Sequence, residues 1–181
     1  MDRSTSHIAL LRALNVGGHH KLPMAELAAL FSDAGCLNVR TYIQSGNVIF
    51  DRQDTANLAE DVAARIAARY GYAVPVIVRS RIEFDAIATS NPFLADGLSP
   101  ESLHVMFLAG APSPEHIARL DARRSPPDAF QVRGREIYLH CPNGLADTKL
   151  TNVYFEKQLS TASTVRSWKT VMKLLEMSRS G

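Results

Sequence analysis

Cysteine is scarce: the 181 residues hold two, Cys36 and Cys141. They stand far apart without C-x-x-C spacing, so both read as reduced thiols packed as small apolar groups rather than as a disulfide or a metal site. Long apolar runs are missing too. Segments such as Ile8–Leu11 are far too short to span a bilayer, and no membrane contact is expected. The N-terminal MDRSTSHIAL has no long apolar stretch followed by a cleavage site, which gives the expectation of an unprocessed, cytoplasmic chain. Charge of one sign is also lacking. A net charge of +2 neither demands nor excludes a nucleic-acid partner. Finally, there is no G-x-x-x-x-G-K-[ST] loop and no Rossmann glycine fingerprint.

What is present is an ordinary globular composition, 46% hydrophobic and 21% charged. The length suits one large domain or two small ones. His7–Val16 carries Ile8, Leu10, Leu14 and Val16 on one face and Ala9, Leu11 and Ala13 on the other, predicting a central strand covered on both sides. Gly17-Gly18 ends it, and His19, His20 and Lys21 form a polar loop. Pro23 opens a helix with Met24, Leu27, Phe31 and Ala34 on one face, closed by Gly35. Val39–Gln44 and Val48–Asp51 are strands around a Ser45-Gly46-Asn47 turn. Asp54 or Thr55 caps a helix with Leu58, Val62, Ile66 and Tyr70 on its face, and Val74–Arg79 is a fourth strand. Ser80 and Glu83 form a capping box for a short helix that Asn91-Pro92 ends.

The second half repeats this order. Leu103–Leu108 is a strand, and Ser113-Pro114 caps a helix carrying Ile117 and Leu120. Phe130–Arg133 and Glu136–His140 form a hairpin about Gly134. Thr148 caps a helix carrying Leu150, Val153, Tyr154 and Leu159. Thr164–Arg166 is a last strand, and Trp168, Val171, Met172 and Leu175 mark a closing helix. The expectation is an α+β protein of two ferredoxin-like β-α-β-β-α-β units in tandem. The first spans residues 1–80, a connecting helix and loop 81–102, and the second, with its C-terminal helix, 103–181.

Topology makes a functional expectation. In such a unit the turn between the second and third strands lies at the end where the first strand exits, and connections at one end of a sheet are neighbours. Gly17-Gly18 and Gln44–Asn47 are therefore expected side by side, with Arg12, Asn15, Gly17, Gly18, Lys21, Gln44, Ser45, Gly46 and Asn47 converging. Glycines let backbone N–H groups approach an anion. Arg12 and Lys21 supply charge, while Gln44 and Asn47 supply directed hydrogen bonds. The expected guest is a small anionic or nucleotide-like ligand. The same residues are also ordinary turn chemistry.

These stretches carry a resemblance. LLRALNVGGHHKLPMAEL, NVRTYIQSGNVIFD, VPVIVRS, NPF, GREIYLHCPNG with Lys149–Asn152, EKQLS and TVRSWKTVMKL resemble, in that order, a bacterial family known only as domain of unknown function sixteen ninety-seven. The resemblance implies two ferredoxin-like units and no known activity. It places family motif residues at Arg12, Asn15, Gly17, Gly18, Met24, Gln44, Ser45, Gly46, Asn47, Lys149, Asn152, Arg166 and Trp168. Ala13 and Leu14 stand where the family usually has Gly-Ile. Ser167 and Lys169 stand where it has Asn.

Other chemistries find less. His19-His20 lacks further ligands, so no metal is expected, nor any cofactor. His104 and His140 read as half-buried strand residues. Ser45 is not in a G-x-S-x-G elbow and has no placed histidine, so a hydrolase or transferase would have no assignable nucleophile. Nucleic-acid binding is the alternative reading. It lacks the strand-borne aromatics on which such sheets stack bases, with only Phe50 on the third strand and Phe107 and Tyr138 in the second half. Arg166, Lys169, Lys173 and Arg179 read as a solvated helix face, and so do Lys149, Asn152 and Lys157 on the preceding helix.

Overall fold

In a computed structural model, residues 6–12, 14–15 and 17–180 are described. The first strand, β1 (Ser6–Leu11), is shorter than the predicted His7–Val16. The chain leaves the sheet at Arg12, whose N–H donates to the Pro75 carbonyl (3.2 Å). Asn15 turns it with a left-handed φ of 55° and donates its N–H to the His20 carbonyl (3.2 Å). Leu14 is buried all the same, so its apolar character served packing rather than strand formation. Ala13 and Val16, assigned to the strand by periodicity, lie outside the described residues.

There follow α1 (Met24–Asp33), β2 (Leu37–Tyr42), β3 (Asn47–Asp51), α2 (Leu58–Tyr70) and β4 (Val76–Ser80). Pro23 stands at the N-cap of α1, one place outside the helix. The N-cap of α2 is Asn57, in the left-handed region. Asp54 instead accepts the Ala56 N–H (2.8 Å) in the turn before it. The sheet has the order β2-β3-β1-β4, with every pair antiparallel. Leu27, Leu30 and Phe31 of α1 and Leu58, Val62 and Ile66 of α2 form one buried cluster with Ala9, Leu11, Val48 and Phe50 of the sheet.

Next come α3 (Arg81–Thr89), α4 (Pro92–Ala95), β5 (Leu103–Leu108), α5 (Pro114–Ile117), β6 (Ala129–Arg133), β7 (Glu136–His140), α6 (Asn152–Leu159), β8 (Ser163–Ser167) and α7 (Trp168–Arg179). The second sheet is β6-β7-β5-β8, again antiparallel. Met106, Leu108, Ile137 and Leu139 cluster with Tyr154, Phe155 and Leu159 of α6. The cap of α6 is Thr151, whose hydroxyl accepts the Tyr154 N–H (3.2 Å). The Thr148 hydroxyl is committed elsewhere, donating to Asp128 Oδ2 (2.6 Å). Lys149 therefore precedes α6 instead of lying on it, and Val153, expected inside, is 67% exposed while Phe155 is buried. On α7 Met172 is 41% exposed, and Leu174 takes the buried place.

The two sheets share a register. His7 stands opposite Ser80 and Ile8 opposite Arg79, as His104 stands opposite Ser167 and Val105 opposite Arg166. Both arginines are buried. Arg166 thus belongs to a strand, not to a solvated helix face, and burial lowers its pKa to about 10.

Two compact units emerge, and they are not consecutive in sequence. The first joins residues up to Ala86 with those from Lys173 onward, and the second is Ile87–Met172. Within the first, Arg40 Nη2 donates to the Met177 carbonyl (2.9 Å) and Arg179 pairs with Asp85. The expected capping box forms: Ser80 N–H donates to Glu83 Oε2 (2.7 Å) and Glu83 N–H to Ser80 Oγ (3.2 Å). Glu83→Ala should lower stability by about 1 kcal/mol, seen as a melting temperature roughly 2–4 °C lower. An unchanged melt would show the box to be idle.

Candidate ligand-binding site

The end of β1 meets the β2–β3 turn directly: Leu11 N–H donates to the Gly46 carbonyl (2.8 Å). The turn is closed by the Tyr42–Asn47 pair. It contains Ile43 at φ 48° and Gly46 at φ 81°. Asn47 is fully buried, and its amide donates to the Tyr42 carbonyl (3.0 Å) and to Ser45 Oγ (2.9 Å). Both of its amide hydrogens are thereby used inside the turn.

Asn15 clamps the two loops together. Its Nδ2 donates to the carbonyls of Leu22 (2.9 Å) and Gln44 (3.0 Å), and its Oδ1 accepts the Leu22 N–H (2.9 Å). Beside this clamp lies a hollow of about 400 Å³, lined by Asn15, Gly18, Lys21, Leu22, Pro23 and Gln44. Four of the nine expected residues are thus brought together there. Arg12, Gly17, Ser45, Gly46 and Asn47 do not line it, and the last three build the turn behind it. Among the described residues, neither the Lys21 ammonium nor the Gln44 amide has an intramolecular partner.

Sequence reasoning missed Leu22 and Pro23. Pro23 is the N-cap of α1, and no side chain caps that helix, so its first-turn N–H groups are left for solvent or a guest. It also missed the flank. The Tyr72 hydroxyl donates to the Lys21 carbonyl (3.2 Å), and the His20 ring stacks on Tyr72 at 4.4 Å and 19°. Glu26, in the first turn of α1, is held by the Tyr70 hydroxyl and by Arg69 (3.3 Å). Its charge is thereby balanced. No local pattern links positions 20 and 72, so only the tertiary structure reveals this pair.

The family model described as "Protein of unknown function (DUF1697)" matches residues 4–138. The chain belongs to this family. That match contains the whole hollow, while Lys149, Asn152, Arg166 and Trp168 fall beyond it. The DUF1697 chain is also similar in fold to a solved conserved bacterial protein, SP0830, from Streptococcus pneumoniae. The two share 22% identity with a TM-score of 0.74, over 96% of this chain and 98% of that one. No curated protein matches the chain.

Both thiols are free and buried. Burial and the nearby Asp128 push Cys141 up to about 11, and burial raises Cys36, so neither is poised as a nucleophile. Phe50, Phe107 and Tyr138, the rings considered for base stacking, are buried. His104 is held below the usual histidine range by burial. It is half-buried as expected, yet its Nδ1 has no hydrogen-bond partner. Among the described residues, no three His, Cys, Asp or Glu side chains are grouped to hold a metal ion, and no helix is long and apolar enough to cross a membrane.

Proposed function

We propose that this protein binds a small anionic ligand in the hollow between Lys21 and Gln44. One observation carries the reading. The neighbouring asparagines have spent their amide hydrogens on backbone carbonyls and on the Ser45 hydroxyl, whereas Lys21 and Gln44 face the same roughly 400 Å³ hollow uncommitted. An ammonium and a carboxamide set against an apolar floor of Leu22 and Pro23 suit a ligand with a charged end and a less polar body. The uncapped start of α1 adds donors of the same sign. We further read the compartment as cytoplasmic. Each sheet, with its third strand between the first two and its fourth on the far side of the first, is in our reading one ferredoxin-like unit of an internal repeat.

Ribose 5-phosphate is a suitable probe. At a concentration about 100 times its dissociation constant, a ligand of the folded state adds about 2.7 kcal/mol of stability, a readily measured thermal shift. Lys21→Ala combined with Gln44→Ala should abolish that shift and leave the ligand-free melting temperature within about 2 °C, since both side chains are exposed. A collapse of the ligand-free fold, or a shift that survives both changes, would overturn the proposal.

A further inference from the structure

Next to Lys21, which lines the hollow, the chain carries an aromatic ledge formed by His20 and Tyr72. His20 is exposed, yet its ring lies nearly parallel on Tyr72. Its backbone is fixed on both sides. The His20 carbonyl accepts the Asn15 N–H (3.2 Å), and the next carbonyl, that of Lys21, accepts the Tyr72 hydroxyl (3.2 Å). Tyr70 supports Tyr72 at 6.1 Å, and Arg69 lies over the Tyr70 ring at 5.5 Å. The ledge is therefore ordered before any ligand arrives, and a guest need not supply the cost of fixing it. It is also adjacent in the chain to Lys21, one of the two uncommitted polar groups of the hollow.

We infer that the ligand is a nucleotide, with its phosphate at Lys21 and Gln44 and its base stacked on the His20–Tyr72 ledge. The inference rests on the anion-binding reading above and adds a base to it. Exposed rings beside a cation suit this class because every base presents a π-face to stack on. A mononucleotide is favoured over a polynucleotide. Phe50, Phe107 and Tyr138 of the sheets are buried and Tyr42 and Phe130 half-buried, so one ledge and one hollow offer room for one base and one phosphate, not for a tract.

The test compares adenosine 5′-monophosphate with ribose 5-phosphate by calorimetry on the full chain. A stacked base is expected to tighten binding about tenfold or more. His20→Gly, which suits the left-handed backbone at that position, should bring the nucleotide down to the sugar phosphate's affinity without altering the latter. His20→Phe should keep the difference. Equal binding of the two probes to the wild-type chain, or a difference untouched in His20→Gly, overturns the base while leaving the anion site standing. Failure of both probes to bind overturns both readings. Tighter, steeply salt-dependent binding of oligoadenylate RNA would also overturn the inference, since backbone phosphates would then carry the affinity.

Discussion

Gly46→Val should melt roughly 10 °C or more below the parent, the largest single loss expected in the chain. Two penalties meet at this position. Its φ of +81° lies where a branched residue is strained, at a cost of roughly 1–2 kcal/mol. In addition, a Cβ would stand 2.9 Å from Leu11 Cβ, 3.1 Å from Leu14 Cδ1 and 3.3 Å from the Leu11 carbonyl oxygen. Leu11 and Leu14 are both fully buried, so neither can swing aside, and overpacking of this kind costs about 1–3 kcal/mol more. Gly71 separates the terms. Its φ is +79°, but a Cβ there would meet nothing within 4 Å. Gly71→Ala therefore reads the backbone cost alone, and Gly46→Ala should exceed it clearly. Equal losses at the two sites in thermal or urea melts would mean that the close approach of β1 to the turn has been overestimated.

Asn15→Ala should cost about 2–4 kcal/mol, and chiefly by what it strands. Leu22 is fully buried, yet its N–H and its carbonyl both pair with the Asn15 side chain, which also holds the Gln44 carbonyl. Removing the amide leaves these backbone groups unsatisfied, and it places alanine at a left-handed φ that asparagine tolerates better. Asn15→Asp should fare no better. It keeps the acceptor for Leu22 N–H but sets a carboxylate against two carbonyl oxygens. Hydrogen exchange gives the specific readout, because protection of the Leu22 amide should fall in both variants more than protection across β1. Preserved protection there would show that the clamp is dispensable, and would detach Asn15 from the shape of the hollow.

Much of the fold was legible because its signals were local. The Ser80–Glu83 capping box, the strand Leu103–Leu108 and the helix-stopping Gly35 and Gly71 all follow from residue type and spacing. The errors came where an apolar residue served something other than its local period. Leu14 continued the alternation of β1 yet is buried in a turn. Thr148 and Thr151 were both plausible caps, and the choice was settled by Asp128, twenty residues upstream, which moved the buried face of α6 from Val153 to Phe155. The site shows the same limit. Topology placed the Gly17-Gly18 loop beside the Gln44–Asn47 turn; in the structure Asn15, just before that loop, hydrogen-bonds the Gln44 carbonyl, and Gly18 and Gln44 line one hollow. Residue type alone could not separate the asparagines that hold the backbone from the lysine and glutamine left over.

The discontinuity of the first compact unit bears on the order in which the protein comes into being. Translation delivers all of residues 87–172 before Met177, whose carbonyl receives Arg40, and Arg179, which pairs with Asp85. The unit that is begun first is thus completed last. A nascent chain emerging from the ribosome carries the loops around Asn15 and Gln44 early, but the sheet behind them waits for the final helix before it gains these contacts.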